Sequence, residues 1–163
     1  KRPGAMPDLG EISAEARIAF LTKWASPPRS TAKWREIEIP SANGHGTAKA
    51  LAQLYAAYAT MGKLNGMRLF SKATWEALTR QRCAGPDRVL PFDMSFGAGI
   101  MRNNNLAFGP HPGALGHSGW GGSAALADPD RGLSAAYVMN RQSNILLGDP
   151  RSKRLFASLY ACL

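Results

Sequence analysis

The spacing of apolar residues changes part-way along the chain, and this change limits the fold class more than any other pattern. In residues 13–24 and 47–61, apolar side chains recur three and four positions apart, which predicts helices with one apolar face. From Phe96 onward, short apolar segments alternate with turn signals, which predicts short antiparallel strands. A last helix is predicted after Asp149-Pro150. This order predicts an α+β fold, an antiparallel sheet covered by helices with one helix at the C-terminal end.

Residues typical of helix ends support the helix predictions. Ser13 and Thr47 are predicted N-caps, and Gly62 is predicted to end the second helix as its C′ residue. That second helix carries a wide apolar stripe, which predicts a buried face, formed by Ala50, Leu51, Leu54, Tyr55, Tyr58 and Met61.

The strand predictions rest on alternation and on turn residues. Residues 34–39 alternate polar and apolar side chains up to Pro40, which predicts a short strand. Further strands are predicted over 96–101, 115–119, 123–127 and 133–139. The turn signal Asp-Pro-Asp-Arg-Gly at 128–132 precedes the last of these strands.

Composition indicates a globular protein and narrows its partners. The 163 residues are 45% hydrophobic and 19% charged, and no apolar run approaches the roughly 20 residues that a membrane span needs. The net charge of +9 raises the question of nucleic-acid binding. However, Lys and Arg are scattered singly and are densest only at 151–154, so a solvated basic surface is the preferred interpretation.

The cysteines and the first residues bear on the setting of the protein. Cys83 and Cys162 have no metal-like spacing and predict free thiols, which favours the cytoplasm over the periplasm. Residues 1–7 contain no apolar segment of a signal peptide and no initiator Met, so we expect the chain to begin part-way through a longer gene product. His111, between two prolines, is predicted to be exposed.

A family resemblance emerges in the second half of the chain. Residues 116–123 read Gly-His-Ser-Gly-Trp-Gly-Gly-Ser, and the 128–132 turn and a strand ending in Asn140-Arg141 follow. This combination resembles the end of serine beta-lactamase-related and penicillin-binding proteins, where a Lys-Thr-Gly or His-x-Gly strand lines the active site. The likeness extends over roughly residues 37 to 163, including the segments at 40–48 and 62–66.

The resemblance implies roles for particular residues. It places His117, Ser118, Gly119 and Trp120 in the catalytic machinery, with the Trp120 backbone N–H as one oxyanion donor. His117 would stand where the family often has Lys, and Ser118 would hold a substrate carbonyl or carboxylate. It places three residues at the substrate-binding rim, Gly121, Asn140 and Arg141. It implies a small-molecule acyl substrate, and neither a metal nor a cofactor.

The nucleophile is not expected in this chain. The family also needs a Ser-x-x-Lys at the start of a buried helix and a Tyr-x-Asn or Ser-x-Asn. Ser30 to Lys33 and Ser41 to Asn43 fit these patterns in letters only, because they begin just 11 residues apart and prolines leave no room for a long helix. We therefore expect these motifs in an N-terminal half or companion chain.

The sequence thus predicts two segments and one preferred function. Residues 1–45 are predicted to form a loop or lid-like segment with a short helix, and residues 46–163 the C-terminal part of a beta-lactamase-like domain. The preferred function is the C-terminal half of a serine hydrolase acting on an ester, amide or lactam, inactive alone. The alternatives are a non-catalytic binding module of the same fold and, less favoured, a basic nucleic-acid-binding domain. A half-fold predicts an unpaired sheet edge and poor behaviour as a monomer.

Overall fold

The computed structural model describes residues 13–21, 32–41 and 43–163, which fall into two compact units. The larger unit contains Thr47–Gly85 and Asp93–Leu163. The smaller unit contains the described parts of Asp8–Gly46 together with Pro86–Phe92. The lid-like role of residues 1–45 stays a prediction.

The smaller unit contains two short helices, α1 (Ala14–Leu21) and α2 (Ala32–Glu36). Ser13 is the N-cap of α1, as predicted, because its Oγ accepts the Ala16 N–H at 3.0 Å. The same hydroxyl donates to the Arg88 carbonyl at 2.8 Å. The Arg88 guanidinium also forms an ion pair with Glu15 of α1.

The strand predicted over residues 34–39 is wrong. The first part of this segment belongs to α2, and the rest is irregular. Its backbone groups are bound by a side chain instead of a neighbouring strand, because Asn43 accepts the Ile39 N–H at 3.0 Å and donates to the Ile37 carbonyl. A polar–apolar alternation makes a strand only where another strand can take its hydrogen bonds.

The larger unit is built on a six-stranded sheet, which confirms the α+β prediction. Its spatial order follows the chain order, and the pairs from β4 to β8 are antiparallel. The strands are β3 (Cys83–Pro86), β4 (Asp93–Phe96), β5 (Met101–Arg102), β6 (Leu115–Ser118), β7 (Ala124–Asp128) and β8 (Leu133–Tyr137).

Two strand predictions need adjustment. The segment 96–101 is not one strand, because residues 97–100 form the turn between β4 and β5. In that turn the Gly97 N–H donates to the Ile100 carbonyl at 2.8 Å. The predicted last strand, 133–139, ends at Tyr137.

Helix α3 (Ala48–Ala59) packs on β7 and β8 and begins at the predicted N-cap, Thr47. Its C-terminal end is a Schellman motif, in which Gly62 N–H donates to Ala57 at 2.7 Å and Met61 N–H donates to Tyr58 at 3.2 Å. Gly62 is therefore the C″ residue, one position later than predicted.

The apolar stripe of α3 is only partly buried. Leu54 is 59% exposed, and Tyr55 and Tyr58 are half-buried, whereas the fully buried residues of the helix are Ala57 and Ala59. The prediction of a buried stripe was therefore too broad. Small side chains let the helix backbone approach the alanine-rich strands, and this leaves the larger side chains near the margin.

A hairpin and a helix follow α3. The hairpin consists of β1 (Lys63–Leu64) and β2 (Met67–Arg68), and the helix is α4 (Lys72–Thr79). The Trp75 Nε1–H of α4 donates to the Tyr58 carbonyl at 2.9 Å, which fastens α4 to α3.

Helix α5 (Pro150–Tyr160) buries Phe156 and ends beside the turn after β7. Tyr160 Oη donates to Oδ2 of the fully buried Asp128 at 2.7 Å. The prediction that His111 is exposed is wrong: only 21% of its side chain is accessible, because it lies against Asp128. No helix in the described ranges is both long and apolar enough to cross a bilayer.

Candidate active site

The second half of β6 has an open backbone edge. His117 pairs with Ala125, and Ser118 pairs with Ala124, on the β7 side. On the other side, β5 pairs only with Leu115 and Gly116, so no strand of the described sheet continues beside His117 and Ser118. An extended group of a ligand could therefore add to the sheet at this position.

His117 is exposed, and its own strand holds its ring. Nδ1 lies 3.0 Å from the carbonyl oxygen of Ser118. A carbonyl oxygen only accepts hydrogen bonds, so this contact requires the proton on Nδ1. In the neutral ring, Nε2 is then an acceptor that can serve a neighbouring hydroxyl.

Ser118 faces the opposite side of the strand from His117, because side chains alternate along β6. The residue is 8% exposed, and its hydroxyl forms no hydrogen bond with the residues that the structure describes. A buried hydroxyl left unpaired costs about 1–3 kcal/mol, so a group that supplies the missing bond would be favoured here.

A glycine-rich turn, residues 119–123, connects β6 to β7. Gly119 N–H donates to Ser123 at 2.9 Å, and Gly122 N–H donates to Gly119 at 3.1 Å. The peptide unit that joins Gly119 to Trp120 is planar and trans, so its C=O and N–H point in opposite directions. Because the Gly119 carbonyl points into the turn, the Trp120 N–H points out of it.

The side chains of Asp149 and Arg151 hold this turn from the start of α5. Arg151 makes a two-point contact with Asp149, Nε to Oδ1 at 3.0 Å and Nη2 to Oδ2 at 2.9 Å, and Nη2 also donates to Gly121 at 3.1 Å. Ser143 donates to Asp149 Oδ2 at 2.5 Å. The hydrogen bonds from Arg151 hold the pKa of Asp149 well below its usual range, although burial acts in the opposite direction.

The other two residues predicted to form the substrate-binding rim differ in their contacts. Asn140 and Arg141 are both exposed, and Arg141 takes part through its backbone, since its carbonyl accepts Arg151 Nη1 at 2.8 Å. Sequence reasoning missed the roles of Asp149 and Arg151 at this turn. An Asp N-cap followed two residues later by Arg was the available signal, but the partner at Gly121 is 30 residues away in the chain.

The Ser-x-x-Lys pattern at residues 30–33 lies partly outside the residues that the structure describes. Ser30 is not among them, and neither is the side chain of Lys33. The side-chain amide of Asn43 is bound within the 37–43 loop. His45 Nδ1 lies 2.7 Å from the Asn43 carbonyl, a contact within the 43–46 turn.

One group of possible metal ligands occurs among the described residues, His111 with Asp128 and Asp130. The two nitrogens of the ring face different carboxylates, Nδ1 at 3.1 Å from Asp128 and Nε2 at 3.5 Å from Asp130. His111 Nδ1 is close to Asp128 but forms no hydrogen bond with it, and Asp128 already accepts from Tyr160, Arg131 and two backbone N–H groups. These contacts fit a charge network between β7 and α5 better than a metal centre.

Comparison with protein families decides the relationship. The profile of the family described as Beta-lactamase matches residues 6–158.

The chain belongs to the beta-lactamase family. Among solved structures, this beta-lactamase-family chain is similar to a penicillin-binding protein homolog from Caulobacter crescentus, with 54% identity and a TM-score of 0.94. It is also similar to a family VIII carboxylesterase, with 39% identity and a TM-score of 0.78. A curated relative is the esterase/beta-lactamase LipL of Mycobacterium tuberculosis (strain ATCC 25618 / H37Rv), 39% identical over 107 residues.

The chain spans less than half the length of each of these relatives. The match covers 100% of this chain and 44% of the Caulobacter protein, and 81% of this chain and 36% of the carboxylesterase. For LipL, it covers 65% of this chain and 24% of the relative.

Proposed function

We propose that this chain supplies the substrate-side strand and the oxyanion turn of a serine hydrolase that forms an acyl-enzyme with an ester, amide or lactam. The observation that carries the proposal is the open edge of β6 at His117 and Ser118, which leads directly into the glycine-rich 119–123 turn. Membership of a family whose relatives are named as esterases and penicillin-binding protein homologs supports it.

The proposed chemistry assigns a step to each residue type. A serine oxygen bonds to the substrate carbonyl carbon, and the bond from that carbon to the alcohol or amine breaks. The serine proton passes to the alcohol or amine, which leaves from an ester or amide and stays tethered in an opened lactam. Water then releases the acid and restores the serine. The Trp120 N–H stabilises the negative charge on the carbonyl oxygen during both steps. The Ser118 hydroxyl binds a substrate carbonyl or carboxylate, and His117 Nε2 accepts from a hydroxyl of the second motif. Gly121, Asn140 and Arg141 form the rim.

The nucleophile, its Lys and the catalytic Tyr are proposed to come from a polypeptide segment or companion chain outside these 163 residues. Two features support this. The relatives are more than twice as long as the matched part, and β8 has one neighbour, β7, in the described sheet. The beta-lactamase-type sheet would then continue across the open edge of β8.

Esterase or carboxypeptidase action is favoured over lactam hydrolysis. His117 stands where lactam-hydrolysing members of the beta-lactamase family often have Lys, and the Trp-Gly-Gly at 120–122 resembles the esterase members of that family. A neutral imidazole attracts the carboxylate of a lactam antibiotic less strongly than a lysine ammonium.

A fluorophosphonate probe followed by intact-protein mass spectrometry tests the location of the nucleophile. We expect an adduct on a serine outside this chain when the protein is purified with its companion segment. An adduct on Ser30 would show that Ser30 to Lys33 is the true motif. Ligand binding without any adduct would instead favour a non-catalytic module.

Substitution of His117 by alanine tests the role of the β6 strand. Because His117 would assist proton transfer, we expect His117→Ala to lower kcat/KM for p-nitrophenyl acetate by roughly 100-fold in the protein purified with its companion segment. His45→Ala is the matched control, since His45 is an exposed histidine in the 43–46 loop and is assigned no catalytic part. Equal losses in both variants would contradict the assignment.

A further inference from the structure

We propose that Asp149 and Arg151 are a positioning pair that sets the rate of acyl transfer by fixing the direction of the Trp120 N–H. This inference rests on the proposed function, in which that N–H stabilises the oxyanion. Neither residue would touch the substrate. Both would act through the 119–123 turn.

The guanidinium of Arg151 joins three separate segments. Nη2 donates to the Gly121 carbonyl at 3.1 Å, and Nη1 donates to the Arg141 carbonyl at 2.8 Å. Its Cζ also lies 5.8 Å from the ring centroid of Tyr137, at the end of β8. These contacts need the planar, five-donor shape of arginine, and a lysine ammonium cannot make them together.

Asp149 fixes the orientation of this guanidinium. Its side chain is 2% exposed and contacts Arg151 through both oxygens, while Ser143 donates to Oδ2. Asp149 Oδ1 also accepts the Arg151 N–H at 2.8 Å as the N-cap of α5. A carboxylate with so many fixed donors leaves the guanidinium little freedom to rotate.

The Asp149–Arg151 pair is connected to the Trp120 N–H by the backbone of Gly122. A Cβ added to Gly122 would lie 2.6 Å from Asp149 Oδ2 and 2.7 Å from Arg151 Nη2, so the backbone lies directly against the pair. The N–H of Gly122 binds the Gly119 carbonyl, and that carbonyl shares its planar peptide unit with the Trp120 N–H. Rotation of this unit would therefore turn the oxyanion donor away.

Ser143 and Ile145 brace the same turn through the backbone. Ser143 N–H donates to Gly121 at 2.9 Å, and Gly121 N–H donates to Ile145 at 3.1 Å. Because Asp149 holds Ser143 and Arg151 holds Arg141, the 141–145 segment and the 119–123 turn are fixed to one charged pair.

Two conservative variants test the pair. Arg151→Lys keeps the positive charge but loses the planar guanidinium that makes the two-point contact. Asp149→Asn keeps an N-cap side chain but loses the negative charge. Arg154→Lys is the matched control, because Arg154 is an exposed arginine on the same helix. The first measurement is steady-state hydrolysis of p-nitrophenyl acetate by the protein with its companion segment. The second is hydrogen–deuterium exchange of the amides in residues 118–123 of the full chain.

A positioning role predicts a specific pattern. We expect both variants to lower kcat by about 10- to 100-fold with KM nearly unchanged, since an oxyanion donor acts in the transition state. Exchange should rise in the 119–123 turn but not in β7 and β8. The double variant should be no worse than the more damaged single variant, because both changes disrupt one unit.

The outcomes separate this inference from the function on which it rests. If the wild type hydrolyses the ester and both variants keep its kcat, the inference is overturned and the function stands. If the wild type is inactive, the proposed function fails, and the exchange data alone decide: unchanged exchange in residues 118–123 overturns the pair, whereas a local rise confirms that it positions the turn. A rise across β7 and β8 as well would indicate general destabilisation and overturn the positioning role.

Discussion

Asp149 combines three tasks in one side chain, since it caps α5, holds Arg151 and accepts from Ser143. Its lowered pKa makes it a contributor to acid sensitivity. In the unfolded chain an aspartate takes up its proton near pH 4, whereas in the folded chain it does so only at lower pH. The stabilisation is therefore complete above about pH 4 and is lost as the pH falls towards the folded pKa.

We therefore expect Asp149→Asn to lower the free energy of unfolding at neutral pH. The difference in this free energy between the variant and the wild type should become smaller as the pH falls below about 4. Urea denaturation at a series of pH values measures this. Asp130→Asn, which removes a mostly exposed carboxylate, is the control for the general loss of one negative charge. A gap that stays constant down to about pH 2.5 would contradict the linkage.

The end of helix α3 shows how one glycine can determine the path between two elements. Gly62 has φ +96, and an added Cβ would lie 2.2 Å from the Phe70 carbonyl oxygen. Gly66, in the hairpin between β1 and β2, has φ +82, but a Cβ there would meet nothing within 4 Å. An alanine at Gly62 would therefore meet both backbone strain and a steric clash, whereas an alanine at Gly66 would meet strain alone.

We expect Gly62→Ala to destabilise the protein by more than about 2 kcal/mol, because strain and clash act together. Gly66→Ala should cost about 1 kcal/mol, because only strain acts there. Chemical denaturation of both variants gives the comparison. Equal losses would mean that the contact with Phe70 relaxes at little cost.

For the whole molecule, the edge of β8 is the feature with the broadest consequence. Every residue of β8 is half-buried, and Val138 next to it is 39% exposed. In the described sheet β8 has β7 as its one neighbour, and unpaired strand edges pair with other chains unless charges or prolines block them. The sequence of β8 contains neither a charge nor a proline. We therefore expect the 163-residue chain alone to self-associate.

Ser134→Lys should reduce this association, because a charge on an edge strand opposes pairing. Ser158→Lys adds the same charge on the exposed surface of α5 and should have no such effect. Sedimentation velocity over a concentration series measures both. A wild-type chain that sediments as a clean monomer and unfolds cooperatively would argue against a missing half.

Local patterns were sufficient to predict many of the elements. Ser13 and Thr47 cap helices as predicted, and the last helix forms at the predicted Asp149-Pro150 signal. The Asp128–Gly132 turn also forms where expected, with Asp128 Oδ1 accepting two backbone N–H groups. Caps and turns depend on residues within four positions of each other, so the chain specifies them wherever they occur. The resemblance around His117 likewise depended on a contiguous segment.

Contacts between distant residues required the folded chain. The segment expected to form a strand over 34–39 pairs with no strand among the described residues, and the breadth of the α3 stripe depended on the alanines opposite it. The link from Arg151 to Gly121 joins residues 30 positions apart, and no local pattern encodes that pairing. Short-range hydrogen bonds were thus readable from the residues, whereas the arrangement of the candidate site arose from packing that brings α5 against the turn after β6.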